Sequence, residues 1–280
     1  MNPTPLCLLI ASLLASASLA AAQEQTKVAQ IPASAETAQQ RLKDSPRHGE
    51  WVDVPLAGSD IKIKTWVVYP ERKDPAGVVI VIHEIFGLTD WVRAVADQLA
   101  ADGFIAVAPD LLSGMGPGGG GTESLGEKVR EQIRNLTPDD QHKRLDAVRD
   151  YALALPSTNG KSATIGFCWG GSASFAYATR QPALNAAVVY YGSAPKDPAE
   201  LARIQCPVIG FYGGNDNRVN ATLDQTTADM TKAGKTFIKH IYEGAGHGFL
   251  RQQSGQNGAN LKASQQAWEQ TLAFLNQHLK

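Results

Sequence analysis

Cys168 lies in Ile165-Gly166-Phe167-Cys168-Trp169-Gly170-Gly171, where an apolar strand-like run passes into a helix-like one. This is the pattern Gly-x-nucleophile-x-Gly, with cysteine at the nucleophile position usually held by serine. A residue on so tight a strand-to-helix turn is backbone-strained, and side chains at the flanking positions would strike neighbouring backbone, which is what glycine avoids. The helix beginning there turns its positive end toward the sulfur and favours a thiolate, together with any oxyanion formed beside it. An isolated cysteine after a strand is by default a small buried residue, so the five-residue motif alone leaves both readings open. Partners later in the chain decide between them.

An acid and a base are required after the nucleophile, in the order nucleophile, Asp or Glu, His. The strand-like run Val208-Tyr212 leads into Gly213-Gly214-Asn215-Asp216, and Phe237-Tyr242 leads into Gly244-Ala245-Gly246-His247-Gly248-Phe249. Asp216 and His247 are therefore placed just past the carboxyl ends of two strands, at the edge where parallel α/β sheets bind ligands and where Cys168 also lies. Taken singly, the aspartate could be a turn former and the histidine a loop residue. Taken in order, they imply that His247 removes the thiol proton and later activates water, that Asp216 orients the imidazole, and that Cys168 attacks a carbonyl. Ser172 falls inside the expected helix and Ser193 lacks the elbow, so neither displaces Cys168.

The elements that must carry these residues alternate along the chain. Trp51-Val54 and Ile61-Tyr69 alternate apolar with polar residues and read as an antiparallel pair at a sheet edge, with Lys62 and Lys64 toward water. Val78-Ile82 is a continuous β-branched run suited to a strand buried on both faces. Asp90-Ala101 has helical spacing with Asp90 as its cap. Strands at Phe104-Ala108, Ala163-Phe167 and Ala186-Tyr190, and helices at Pro138-Leu155 and near Asn260-His278, continue the pattern. Such alternation predicts a mainly parallel central sheet flanked by helices, an α/β fold in a single domain over residues 49–280. The tract Ser113-Thr122 contains Gly114-x-Gly116-x-x-Gly119, formally a dinucleotide fingerprint, but it does not run straight off a strand and Pro117 interrupts it. A flexible loop over a pocket is expected there instead.

With these motifs in place, the chain resembles the dienelactone hydrolase (carboxymethylenebutenolidase) family of the α/β-hydrolase superfamily, from about Trp51 to Leu279. The resemblance rests on His83-Glu84-Ile85-Phe86-Gly87, Ala108-Pro109-Asp110-Leu111, the Cys168 elbow, and the Asp216 and His247 loops. It implies an α/β-hydrolase fold and cofactor-free hydrolysis of carboxylic esters or lactones through a thioester acyl-enzyme. Glu84 then matches the family's acidic residue that contacts the thiol and takes part in switching it to thiolate. The backbone N–H groups of Ile85 and Trp169 match the oxyanion hole, and Arg251 matches an arginine that binds the substrate carboxylate. A second substrate arginine of the family falls where the glycine tract interrupts the match, and Arg130 and Arg134 both stay open for that place. A general short-acyl esterase, and a non-catalytic or redox-active protein on the same fold, are the rival readings.

Composition narrows the partners. The 280 residues carry 26 Lys+Arg against 27 Asp+Glu, which leaves no excess cation for a phosphate backbone or an anionic membrane, so nucleic acid is not expected. A 43% hydrophobic and 19% charged composition suits a packed core around a small-molecule site. Leu6-Leu19 is uncharged and apolar and ends in small residues, which reads as a secretory signal peptide over residues 1–22, cleaved near Ala20 or Ala22, although Met1-Pro5 lacks the usual positive charge. It is too short for a membrane span, so no stable membrane insertion is expected after cleavage, and the mature protein would be periplasmic or secreted. Residues 23–48 read as a solvated leader with at most a short helix. His83-Glu84 opens a zinc motif, but Gly87 stands where its second histidine belongs, so no metal is assigned. Cys206 begins a strand at the opposite edge of the sheet from Cys168, beyond disulfide reach, and is read as a packing residue.

Overall fold

The computed structural model describes residues 30–280, and the signal peptide expected at residues 1–22 lies outside them. Strands form where the β-branched and alternating runs fall: β1 (Gly49–Pro55), β2 (Lys62–Val68), β3 (Ala76–Ile82), β4 (Ile105–Pro109), β5 (Thr158–Phe167), β6 (Ala186–Tyr190), β7 (Val208–Gly213) and β8 (Phe237–Tyr242). They make one sheet in the order β1-β2-β4-β3-β5-β6-β7-β8. The first two strands pair antiparallel, β2 joins β4 antiparallel, and every other pairing is parallel. This is the mainly parallel α/β sheet that the alternation of elements predicts and the α/β-hydrolase fold that the resemblance implies, with Lys62 and Lys64 exposed on β2 as expected.

β3 shows why the central strands lack polar alternation. Val78, Ile80 and Ile82 face one core with Leu145, Val148 and Ala152 of the helix Pro138–Leu153, whereas Val79 and Val81 face the other with Trp91, Val95 and Leu99 of the helix Asp90–Ala101. All five are fully buried, and each contributes about 1.5–3 kcal/mol by leaving water. The C-terminal helix Ala259–Leu279 closes the second core through Trp268, Phe274 and Leu275.

Three expectations change. Asp90 is not the cap of its helix: Thr89 holds that position, and Asp90 sits in the first turn, where it pairs with Arg93. The strand ending at Phe167 begins at Thr158 instead of Ala163, because Thr158 pairs with Ala76 across a register irregularity. Residues 31–48 are part of the compact unit Ile31–Lys280 and not a solvated leader. Ala33 and Ala38 are buried in the core cluster, a helix spans Ala38–Lys43, and Arg47 grips the buried Asp97 through Nε and Nη2 at 3.0 and 2.6 Å.

The glycine tract also differs from an open loop. It closes on itself through the hydrogen bonds Gly114 N–H to Gly119 C=O (3.1 Å) and Gly116 N–H to Gly120 C=O (2.8 Å). Its end is tied down by Asp110, which accepts from the backbone and hydroxyl of Thr122 at 2.7 and 2.8 Å, while Thr122 Oγ1 accepts from Leu88 N–H at 3.0 Å. Asp110 of the Ala-Pro-Asp-Leu motif thus links the tract to the loop that follows β3.

Candidate active site

The elbow is built as its sequence requires. Cys168 joins β5 to the helix Trp169–Ala178 with φ 55° and ψ −113°, a backbone conformation that costs on the order of 1–3 kcal/mol for a residue with a side chain. The glycines meet that cost by letting backbone approach backbone. A Cβ on Gly166 would lie 1.9 Å from the Gly170 carbonyl oxygen, and one on Gly170 would lie 2.3 Å from the carbonyl oxygens of Ile82 and His83. The Cys168 N–H donates to Tyr190 C=O at 3.0 Å, which fixes the turn against β6. Ser172 Oγ is occupied in accepting the Ser193 N–H at 2.9 Å, so the two serines hold a turn together.

The loops after β7 and β8 are stitched to each other. Gly214 N–H donates to Tyr242 C=O at 2.7 Å, Asn215 N–H to Ala245 C=O at 2.9 Å, and Asn260 Oδ1 accepts the Gly246 N–H at 2.9 Å. This brings His247 Nδ1 within 2.5 Å of Asp216 Oδ2. Asp216 is itself held at the start of the short helix Asn217–Asn220, where its other oxygen accepts the Val219 N–H at 3.4 Å. The bond to Asp216, and after it the neighbouring Cys168 sulfur, push the imidazole up to about 9 against the opposing effect of burial. On Asp216 burial raises and the His247 bond lowers, and the carboxyl ends below the usual range. Cys168, Asp216 and His247 thus meet in one place, as their order in the sequence predicts.

Glu84 reaches the same place from the loop after β3. It is buried, and burial pushes its carboxyl up to about 7 although Arg251 and His247 both pull it down. Arg251 Nε lies 3.0 Å from Glu84 Oε2, an ion contact whose N–H is not aimed at the oxygen. The Arg251 guanidinium sits 4.8 Å from the Phe86 ring centre and Arg130 sits 4.7 Å from the same ring, both within cation–π range. Of the two arginines open at the sequence level, Arg130 therefore shares an aromatic platform with Arg251. It also lines a cavity of about 350 Å³ with Phe86, Gly126, Glu127 and Val129. The N–H groups of Ile85 and Trp169 take no part in hydrogen bonds among the described residues.

The titration of Glu84 has a measurable consequence. In the unfolded chain it ionises near its ordinary 4.5 and in the folded protein only near 7. Between these values the folded state holds the extra proton, so this residue's contribution to stability declines as pH rises and levels off above about 7. Glu84→Gln is expected to match the wild type in stability at pH 4 and to exceed it by on the order of 3 kcal/mol at pH 8. Urea denaturation at both pH values checks this, and a difference that does not vary with pH would contradict it.

Two neighbours flank the site. Tyr191, at φ 42°, is buried with its ring 5.1 Å from that of His247, and its hydroxyl has no hydrogen-bond partner among the described residues. His83 is fully buried; its Nδ1–H donates to the Glu84 carbonyl at 2.8 Å, Nε2 accepts the Leu111 N–H at 3.3 Å, and the ring stacks on Trp169 at 5.4 Å. Burial keeps its imidazole below the ordinary value, so the neutral ring serves the backbone on both sides. Trp91 and Phe249 are core residues, packed on Phe167 and on Tyr190, Tyr191 and Tyr242 respectively. Cys206 is free and buried, and burial pushes its thiol up to about 12. Among the described residues no group of three or more His, Cys, Asp or Glu is placed to hold a metal ion.

Comparison with known proteins shows the family. Residues 63–279 match the model of the dienelactone hydrolase family. A carboxymethylenebutenolidase from Pseudomonas putida is 32% identical over 208 residues, covering 72% of this chain and 86% of that one. A dienelactone hydrolase-like promiscuous phosphotriesterase from metagenomic libraries superposes with a TM-score of 0.71 at 23% identity, covering 84% of this chain and 99% of the other. The dienelactone hydrolase of Anabaena variabilis superposes with a TM-score of 0.65 at 21% identity over the same shares. Matched by family model over most of its length and by a relative over nearly three quarters of it, the chain belongs to the dienelactone hydrolase family, α/β-hydrolase-fold enzymes that hydrolyse carboxylic esters and lactones.

Proposed function

We propose that the protein is an exported ester or lactone hydrolase that uses Cys168 as nucleophile and passes through a thioester. The observation that carries this reading is the 2.5 Å contact of His247 with Asp216 beside a cysteine on a strained, glycine-flanked elbow. His247 Nε2 takes the thiol proton, and the sulfur attacks the substrate carbonyl. The oxyanion is received by the N–H groups of Ile85 and Trp169, whose donors are already in place before charge develops. Collapse of the intermediate breaks the C–O bond, and His247 returns its proton to the departing oxygen. A water deprotonated by His247 then attacks the thioester carbonyl and releases the acid and the free thiol.

Glu84 regulates the sulfur by charge. As a carboxylate beside the thiol it opposes thiolate formation, and as a neutral acid it does not. Arg251 is the anion receptor, with Arg130 on the same Phe86 ring as a second cation, so the favoured substrates carry a carboxylate near the scissile ester. Arg251→Ala is expected to lower kcat/KM for a carboxylate-bearing ester by about 10- to 100-fold, the value of one charge-assisted hydrogen bond, with a far smaller change for a neutral short-acyl ester. A panel containing both substrate types checks this, and equal losses on both would favour the general short-acyl esterase. Export rests on the apolar Leu6–Leu19 stretch followed by Ala20-Ala21-Ala22. N-terminal sequencing of the protein recovered from an extracytoplasmic fraction would reveal a start near residue 21 or 23, and an intact Met1 would refute cleavage.

A further inference from the structure

The segment preceding β1 is fastened to the loop that carries Arg251. Ala35 N–H donates to the Arg251 carbonyl at 2.9 Å. From the other side, Gln253 Nε2 donates to Pro32 C=O at 2.8 Å and to Leu250 C=O at 3.0 Å, and Ser254 Oγ donates to Glu36 Oε1 at 3.2 Å. Ala33 and Ala38 are buried in the same core cluster as Phe249 and Leu250, so the fastening has an apolar underside. The far end is held by Arg47 and Ser45 on Asp97. The Arg251 loop itself is one tight turn, with the Arg251 N–H on Gly248 C=O at 3.1 Å. Its carbonyl is thus pinned by Ala35 while its amide is pinned by the turn that begins one residue after His247.

We propose that Ile31–Thr37 is a specificity-determining strap: by holding the backbone of Arg251 and Gln253 it sets the reach of the Arg251 guanidinium and thereby the enzyme's preference for carboxylate-bearing esters over neutral ones. The strap lies wholly outside residues 63–279, the part matched by the family model. It touches none of Cys168, Asp216 or His247 through the bonds above, and for that reason its effect falls on binding and not on the chemical step. Ala35 and Gln253 are positioning residues in this arrangement. The inference rests on the reading of Arg251 as the anion receptor.

Ala35 allows a test at the level of one donor. Thr37 N–H bonds to Ser34 C=O at 3.1 Å, so Ala35 is the second residue of a β-turn, where proline is favoured, and it is exposed. Ala35→Pro removes the N–H while keeping the turn, and Ala35→Gly retains the N–H. In the full-length protein, KM for mono-p-nitrophenyl succinate is expected to rise about 5- to 10-fold in Ala35→Pro, the value of one hydrogen bond, with kcat within about twofold. KM for the neutral p-nitrophenyl acetate stays within about twofold, and Ala35→Gly behaves as wild type. Gln253→Ala gives the same split and serves alone if Ala35→Pro does not fold. Equal losses on both esters, or no rise in the succinate KM in either variant while Arg251→Ala still raises it, would overturn the strap and leave the Arg251 reading intact. Equal losses on both esters in Arg251→Ala, or a loss on neither, would remove the anion receptor and the strap with it.

Discussion

Cys168→Ala is expected to lower kcat for ester hydrolysis by about 10⁴-fold or more, equivalent to about 5.4 kcal/mol of transition-state stabilisation, with the fold retained. The size follows from what remains. Without the sulfur there is no covalent step, and only the proposed oxyanion donors, Ile85 and Trp169, and the proposed substrate-binding groups act on the substrate. Folding should be little changed, because Cys168 is only partly buried and its backbone is held by Tyr190 C=O and by the glycine contacts, none of which involves the sulfur. Alanine keeps the strained φ of 55° without adding a larger side chain. Rapid-quench mass spectrometry gives the second half of the test: wild type mixed with a slow ester should gain the mass of the acyl group, and the alanine variant should not. Full activity in Cys168→Ala would sink the thioester mechanism and favour a reading in which this thiol has another use.

Asp216→Asn is the second large effect, a fall in kcat of about 10³- to 10⁴-fold. The amide retains the shape and can still accept the Val219 N–H, so the helix start at Asn217 survives. What it loses is the negative charge 2.5 Å from His247 Nδ1, the first cause of the raised imidazole value. Nδ1–H then has no carboxylate to bind, the opposite tautomer gains, and Nε2 is no longer held as the base facing Cys168. The imidazole should therefore titrate well below about 9 in the variant. Stability gives an independent reading. A histidine whose folded value is raised above the ordinary 6.5 contributes stability below that pH and loses it as pH climbs through 9, so in wild type this contribution disappears between those values. In Asp216→Asn the slope should flatten. Denaturation measured from pH 6 to pH 10, beside an NMR titration of the His247 ring, checks both effects, and an unchanged His247 titration would contradict the assigned orientation.

The Cys168-Asp216-His247 constellation was legible because each residue is placed by local rules. Gly166 marks a collision with the Gly170 carbonyl across one turn, which a short motif records, whereas Gly170 also makes room for the end of β3. Asp216 and His247 each stand a few residues beyond an apolar run, and in a parallel sheet every such run delivers its loop to one edge. The two faces of β3 were legible for the same reason, since a strand buried on both sides has no polar alternation to keep.

Other features depend on pairs of residues that no local pattern connects. Arg251 and Glu84 are separated in sequence by five of the eight strands, and their 3.0 Å contact exists only because β3 and β8 end at the same edge. That Arg130 shares the Phe86 ring with Arg251 likewise follows from packing between distant segments. Residues 31–48 carry no sign of their packing in the sequence, because Ala, Ser, Pro and Gln in no regular period look like solvated chain. Small residues can lie flat on a core that other elements have already built, and their burial is invisible until that surface exists. The amino-acid sequence by itself determined the sheet, the elbow and the order of the three reacting groups, because these follow from periodicity and from contacts within a turn. Only the tertiary structure decided which charges meet around them and that the chain's early residues hold the Arg251 loop, because those are long-range contacts whose partners are brought together by folding alone.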